Sequence, residues 1–505
     1  MKYIFDESYD KPLEDRILQL RNVSRISLDI TNFRIDYNLD VLNRFKDGLL
    51  SNKDKRFFIV GDYDCDGICA TTIITKLFND LGIPSNYYIP SRTKEGYGIN
   101  TKIVDTAYNN NFDCLFCVDN GIVAKNELEY AKKLGLKTFI IDHHEYQEEP
   151  NCDYYLHPSV FPFEYKDMCA AGLCALLSNA IREDEFTTAL GGLASLADMV
   201  EVFNYNRYLV CEMLDIVSRN VVMPINMLLG KNDISFESIQ FNVIPKINAV
   251  SRLDDLMNVN YVVKFLLSKG QESFAYFDKI ETINNARKDY SNQMSELARK
   301  LVNNNSNIIV IKDDSFKEGL CGLVANKLLN EYKKPVIVFA NTDGTLKGSG
   351  RSIQGVNLYK YLKNIEDIFE SYGGHELAIG LCLKEDNFDK LIEYIENNPI
   401  EYEEPSCEVL LLEQDKIDIN TLEIIDNLKP FSTGFNEPLF GLKNPSYIKK
   451  SVIANKYPKY EISESLCAIS FNTNHLNKDF EYMIGRLSRD KYNQNKLCFL
   501  IEDLV

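Results

Sequence analysis

From Arg56 onward the chain alternates short, strand-like runs with longer segments whose apolar residues recur every three or four positions. The runs at 57–61, 86–89, 114–118 and 137–141 have the length of strands, and within them Phe57–Val60, Leu115–Val118 and Thr138–Ile141 are each fit for a buried parallel strand. The segments at 68–82, near 101–110 and at 124–135 have helical spacing. Such alternation predicts right-handed crossovers and a parallel sheet covered by helices on both sides. A second α/β unit follows, with strand 308–311, helix 321–332 and strand 335–339. Between the two, 168–230 reads as helical, and no Pro or Gly interrupts the helical pattern from Gln271 to Asn303, as expected of a spacer helix. An acidic stretch, Glu401 to Glu404 followed by Pro405, reads as a linker. The short strand-like segments beyond it, at 408–412, 439–442, 446–453, 468–471 and 497–501, suggest a small β-barrel. The expected order is a helical, charged lead-in at 1–50, an α/β domain at 51–270, a linker helix at 271–303, a smaller α/β domain at 304–400 and a β-barrel domain at 401–505.

Candidate chemistry gathers where three apolar runs end. Phe57–Val60 runs into Gly61-Asp62-Tyr63-Asp64-Cys65-Asp66-Gly67, Leu115–Val118 into Asp119-Asn120-Gly121, and Thr138–Ile141 into Asp142-His143-His144. In an open α/β sheet the carboxyl ends of parallel strands line one edge, and ligands bind there. Carboxylates this close repel one another, so a fold keeps them together mainly where cations neutralise them, and oxygen with imidazole suits Mn²⁺ or Mg²⁺. Taken alone, the first cluster also fits a solvated turn with Asp66 as a helix N-cap. Asp198, in the apolar stretch Leu193–Val200, is a further ligand candidate or else a cap.

Basic residues and glycines recur in three places. The 88–100 loop carries Arg92, Lys94 and Gly96-Tyr97-Gly98, and Arg252 lies in 245–255, free to grip a phosphate or to pair with Asp254 or Asp255. Two Gly-rich loops, Leu346–Ser352 with Lys347 and Arg351, and Tyr372–His375 with Gly373, Gly374 and His375, would let backbone N–H groups approach an anion. In the C-terminal region, Lys443, Lys449, Lys450, Lys456 and Lys459 alternate with Tyr447, Tyr457 and Tyr460, a mixture suited to single-stranded nucleic acid, or to protecting exposed strands from edge pairing.

Composition narrows the class. The 505 residues exceed one ordinary core, and 45% hydrophobic with 26% charged residues is the balance of a globular protein. Thirteen scattered cysteines, mostly in apolar runs, read as reduced thiols; Cys114 and Cys117, three apart on one strand, point to opposite faces and read as core. With no apolar leader and no membrane-length run, a cytoplasmic protein without membrane contact is expected. The net charge of −18 confines any grip on nucleic acid to a local basic groove.

With these residues in hand, the chain resembles the DHH phosphoesterase superfamily, and specifically its RecJ-type single-stranded-DNA exonucleases. The resemblance is carried by 61–67, 88–100, 118–121, 142–144, 196–200, 245–255, 348–353 and 373–380, with an echo at 430–438, and so covers about residues 55–505 in the family's order. It implies two divalent cations, Mn²⁺ or Mg²⁺. Asp62, Asp64 and Asp119 would surround one, and Asp66, Asp119, His143 and Asp198 the other, with Asp119 bridging. It further implies that His144 meets the scissile phosphate, that Asp142 orients its neighbours, and that Arg252, Arg351 and His375 hold phosphates, with the C-terminal region an OB-like nucleic-acid-binding barrel. The implied activity is 5′-to-3′ hydrolysis of single-stranded DNA to mononucleotides in repair or recombination, by a monomer, with a single-strand-binding protein or a helicase as candidate partners. Ser251, Lys317 and Ile379 stand where the family usually has Gly, often His, and usually Ala. Two other readings stand beside it: a phosphodiesterase of short RNA, cyclic dinucleotides or adenosine bisphosphate, and a catalytically silent DNA-binding scaffold.

Overall fold

The computed structural model describes residues 2–303, 306–400, 406–490, 493 and 496–505. The chain divides into two compact units. The larger comprises Arg34–Val200 and Tyr208–Glu403, the smaller Met1–Phe33, Glu201–Arg207 and Glu404–Val505.

In the larger unit, five parallel strands pair in the spatial order Ser85–Tyr88, Phe57–Val60, Cys114–Val118, Lys137–Ile141, Tyr154–Leu156. The apolar runs are continuous because alternate residues enter different cores. Phe58, Val60, Leu115, Cys117 and Ile140 pack with Ile103, Val104, Leu128 and Ala131 from helices Thr101–Asn109 and Lys125–Lys133. Phe57 and Phe116 meet Phe78 of helix Cys65–Leu81, with ring centroids 5.0 and 5.5 Å apart, and Phe45 of helix Asp40–Leu50 sits 5.9 Å from Phe116. Fully burying each such ring is worth about 1.5–3 kcal/mol. This sheet therefore fixes where Asp62, Asp119 and Asp142 emerge.

The 31-residue helix Gln271–Leu301 leads to a second sheet, ordered Phe369–His375, Ala378–Lys384, Thr345–Arg351, Val336–Thr342, Ile309–Asp313, whose last two strands are parallel and the rest antiparallel. The two segments expected as Gly-rich loops are thus strands. Three of their four glycines answer to crowding by neighbouring strands: a Cβ on Gly348 would lie 2.4 Å from the Phe339 ring, one on Gly350 2.6 Å from Ile379 and one on Gly374 2.3 Å from the Ala378 carbonyl oxygen, whereas one on Gly373 would meet nothing within 4 Å.

The smaller unit is built on an eight-stranded sheet, ordered Lys2–Asp6, Ser406–Leu411, Leu439–Lys443, Tyr482–Arg489, Leu497–Leu504, Leu466–Ser470, Tyr457–Glu461, Lys449–Ile453. Among the described residues no pairing joins the two edge strands, so the β-rich region expected as a barrel is an open sheet in its hydrogen bonding. Its first strand comes from the N-terminus, where a helical lead-in was expected. Residues 1–50 do not act as one element: 2–33 join this sheet's unit, while the helix Asp40–Leu50 packs on the parallel sheet of the larger one. Arg207 fastens the smaller unit from within, donating to the carbonyls of Leu28 at 3.0 Å, Leu428 at 3.0 Å, Lys429 at 2.5 Å and Pro430 at 3.2 Å. Of the aromatic residues expected to stack on nucleic acid, Tyr460 is fully buried, with the Lys450 ammonium 5.4 Å from its ring, and Tyr447 is exposed. Lys443 pairs with Glu7 at 3.2 Å. The acidic stretch Glu401–Pro405 lies outside the described residues. Among the described residues no helix is long and apolar enough to cross a membrane.

Candidate metal centre and cationic cavity

Three β-to-α junctions deliver the acidic residues. After Val60 the chain turns through Gly61 and Asp62, and Asp64 caps helix Cys65–Leu81 by accepting the backbone N–H groups of Asp66 and Gly67 at 2.9 and 3.2 Å. Gly67 has to be glycine, since a Cβ there would lie 2.5 Å from the Asp62 carbonyl oxygen. Asp66 reaches across to helix Ala170–Ile181, where its two oxygens each accept a backbone N–H, from Ala170 and Ala171, at 2.8 Å. At the next strand end Asp119 takes a left-handed backbone (φ 59°), a conformation Asp tolerates better than most residues and one that recurs at functional sites. Asn120 locks this junction by donating to the carbonyls of Val60 at 3.1 Å and Val118 at 2.8 Å.

The third strand end sets the imidazoles. Asp142, almost wholly buried, accepts the N–H of Ile122 at 3.0 Å and of His143 at 2.8 Å, and its Oδ1 lies 2.7 Å from His144 Nδ1. His143 Nε2 stands 3.3 Å from an Asp119 oxygen and 3.8 Å from an Asp66 oxygen, while its Nδ1 is 3.6 Å from Asp198, the C-cap of helix Glu185–Ala197. Three ligand sets arise, each with its atoms within 4.8 Å of one another: Asp62, Asp64 and Asp119; Asp66, His143 and Asp198; Asp119, His143 and His144. Asp119 belongs to two of them.

The charges in this cluster conflict. Burial first, then the other carboxylates, pushes the carboxyls of Asp62 and Asp119 far above the usual range; Asp66 is also raised by burial, and Asp198 is raised to about 8, again chiefly by burial. Burial lowers His143. For His144 burial also pulls downward, but the bond to Asp142 outweighs it and the ring is raised. Among the described residues, Asp62 Oδ1 and Asp119 Oδ1 are buried without a hydrogen-bond partner. Buried, mutually repelling carboxylate oxygens without donors fit divalent cations, whose hard charge supplies the missing partner.

Beside this cluster in the same unit lies a cavity of about 730 Å³ lined by Arg92, Arg252, Lys347, Arg351, Gly373 and Tyr97, among others. Arg92 lies over the Tyr63 ring at 5.0 Å, Arg351 donates to the Ser349 hydroxyl at 2.8 Å and the Gly350 carbonyl at 2.7 Å, and Lys347 pairs with Glu318 at 3.2 Å. Among the described residues Arg92, Arg252 and Arg351 have no carboxylate within 4.0 Å. Burial, and then Arg92 and Arg351, depress the pKa of Arg252. Arg252 takes neither of its sequence-adjacent acids as partner: Asp254 binds Ser91 and Thr93, and Asp255 pairs with Lys317 at 2.8 Å. Gly374 and His375 do not line this cavity; His375 is exposed at the end of its strand. The structure thus gathers Arg92, Arg252, Lys347, Arg351 and Gly373 and leaves Gly374 and His375 outside.

Tyr97 was not singled out by sequence reasoning. Its hydroxyl donates to the Asp119 carbonyl at 2.9 Å and lies 3.0 Å from His144 Nδ1, so it touches both the acidic cluster and the cavity. The Gly-Tyr-Gly spacing within a basic loop was the available signal.

Residues 56–197 match the DHH family N-terminal domain, and residues 305–398 match the DHHA1 domain. The single-stranded-DNA-specific exonuclease RecJ of Bacillus subtilis is 28% identical over 480 residues, which covers 88% of this chain and 60% of that relative, so the chain spans less than two thirds of its length. RecJ of Thermus thermophilus, solved in complex with Mn²⁺, superposes with a TM-score of 0.86 at 22% identity, covering 97% of this chain and 76% of that one, which establishes the fold. A further exonuclease RecJ structure, bound to manganese, has a TM-score of 0.64 at 26% identity, covering 72% of this chain and 96% of that one.

Proposed function

We propose that this chain, a DHH-family protein by the two domains it carries, hydrolyses single-stranded DNA from the 5′ end with the help of two divalent cations, Mn²⁺ or Mg²⁺. The observation that carries the reading is the juxtaposition of a carboxylate-imidazole cluster, in need of cations, with a cavity of arginines in need of an anion. A phosphodiester is an anion whose cleavage calls for both.

Asp62, Asp64 and Asp119 would hold one cation, and Asp66, Asp119, His143 and Asp198 the other, with Asp119 shared. When bound, such a pair activates a water for attack on phosphorus and offsets charge on the departing oxygen. The chain's residues do the rest. Asp142 orients His144, and holds it protonated to a higher pH than a free imidazole, so that His144 can donate toward a phosphate oxygen. Arg92, Arg252 and Arg351 grip phosphates of the strand, and Tyr63 and Tyr97, which line the cavity, adjoin the cluster, Tyr97 through the Asp119 carbonyl and His144. Release of 5′-mononucleotides follows if the strand end seats in the cavity. On the smaller unit, Lys449, Lys450 and the exposed Tyr447 offer a second nucleic-acid contact. A single-strand-binding protein or helicase is the kind of partner that would present such a substrate.

The test is an oligonucleotide assay with Mn²⁺ and label at either terminus, on single-stranded and duplex DNA and on short RNA. Loss of 5′ label as mononucleotide from single strands, with duplex resistant, is the expected result. Turnover confined to dinucleotide-length substrates, or strand binding without turnover, would sink it.

A further inference from the structure

One carboxylate beside the cavity works against anion binding unless it has another task. Asp254 lies two residues after Arg252, and an acid near cations that await phosphate weakens the field they make. Its oxygens are taken up by the 88–100 loop. Oδ2 accepts the Ser91 hydroxyl at 2.6 Å and the Thr93 backbone N–H at 3.0 Å, and Oδ1 accepts the Thr93 hydroxyl at 2.7 Å. The gripped residues are the two neighbours of Arg92, one on each side. The loop is also tied at its two ends, where Ile89 exchanges hydrogen bonds with the Asn260 side chain at 2.9 and 3.0 Å and the Tyr97 hydroxyl donates to the Asp119 carbonyl at 2.9 Å; next to Arg92 itself, Lys347 donates to the Thr93 carbonyl at 3.3 Å and Glu95, within the loop, accepts the Ser91 N–H at 2.8 Å. The adjacent Asp255 has a different use, the ion pair with Lys317.

We propose that Asp254 is a positioning residue for phosphate recognition: by holding Ser91 and Thr93 it sets the Arg92 guanidinium against Arg252 and Arg351, so that the three converge on one phosphate. The identity of the ligand rests on the nuclease reading; the grip on the loop does not. Two of the three hydrogen bonds come from hydroxyls, which accounts for the hydroxyl side chains on either side of Arg92, since only a side chain with a donor there can use the carboxylate.

The experiment uses the full chain with Mn²⁺ and a 5′-phosphorylated single strand, comparing the parent with D254A, D254N, R92A and the double variant R92A/D254A. For D254A, KM should rise about tenfold while kcat changes by less than about threefold, because chemistry is untouched and only the seating of the strand is lost. D254N keeps an acceptor oxygen in place and should recover a large part of the loss. In the R92A background D254A should add less than about twofold, since no guanidinium is left to place. A kcat loss with KM unchanged, no recovery in D254N, or full additivity with R92A would overturn the proposal. If D254A fails to fold, the variant carrying both Ser91→Ala and Thr93→Ala removes the two hydroxyl bonds from the loop side, keeps the Thr93 backbone N–H bond, and should raise KM by a smaller factor with kcat again little changed; an unchanged KM rejects the role. Amide hydrogen exchange of residues 91–97 reads the grip without turnover: it should quicken in D254A, and unchanged exchange rejects the role. A parent that degrades no strand would instead reject the nuclease reading, leaving the exchange result to judge Asp254.

Discussion

The acidic cluster draws Asp62, Asp119 and Asp142 from the carboxyl ends of three adjacent parallel strands, whereas the cationic cavity draws Arg92, Arg252, Lys347 and Arg351 from a loop, a helix end and a strand of a second sheet. The first is placed by local topology, because strands that pair in register must present their ends side by side. The second exists only once the two α/β halves of the larger unit pack together, as in the contact of Arg252 Nη1 with the Gly319 carbonyl at 3.3 Å. Both hold an excess of like charge, offset only in part by His144 beside Asp142 and by Glu318 beside Lys347, so each retains repulsion that a ligand of opposite sign relieves. The contrast teaches that the reactive centre and the gripping surface can fail separately.

Asp119→Ala tests the acidic side most severely. It removes a carboxylate common to two ligand sets, and Mn²⁺-dependent nuclease activity should drop by about a thousandfold or more in kcat. Asp119→Asn, which removes the charge with a side chain that also tolerates the left-handed backbone, should raise the metal-free melting temperature, since one of several repelling buried carboxylates is gone; a lower value would mean the cluster is not strained as described. Arg351→Ala tests the other side and should act on KM, raising it by about 10- to 100-fold with a smaller effect on kcat, read from oligonucleotide titrations at fixed salt.

Gly67→Ala changes no charge yet forces the Asp62 backbone to shift, so activity should fall about tenfold and require more Mn²⁺ for half-saturation. A variant as active as the parent would show that Asp62 has slack. The pH dependence is gentler. Asp62, Asp66, Asp119 and Asp198 are all raised in the folded protein, so the metal-free fold retains protons that the unfolded chain releases above about pH 4. Metal-free stability should therefore decline as pH rises from about 5 through 8, the value to which Asp198 is raised. Added Mn²⁺ should increase the melting temperature more at pH 8 than at pH 5.5, as measured by calorimetry. Equal shifts at both values would argue against cations binding these carboxylates.

Much of the larger unit was legible because its strands are buried on both faces, which leaves continuous apolar runs, and because each run ends in chemically distinctive residues. The smaller unit was harder to read. Lys2–Asp6 pairs with Ser406–Leu411 across some four hundred residues, and nothing in MKYIFD distinguishes an edge strand of a remote sheet from a charged lead-in. The glycines of 346–352 and 372–375 were open to the same ambiguity, since glycine serves both a loop and a strand crowded by its neighbours.

The sequence by itself determined the α/β alternation, the three acidic strand ends, and the helix that leads into the second sheet, because these follow from periodicity within a few tens of residues. Tertiary structure alone decided which cations share a cavity, that Tyr97 joins cavity to cluster, that Asp254 faces the Arg92 loop and not Arg252, and that His375 stands apart. The reason is physical: strand ends are brought together by pairing rules, while a side chain's choice among partners of similar charge depends on ångström-scale distances that packing sets and no spacing encodes.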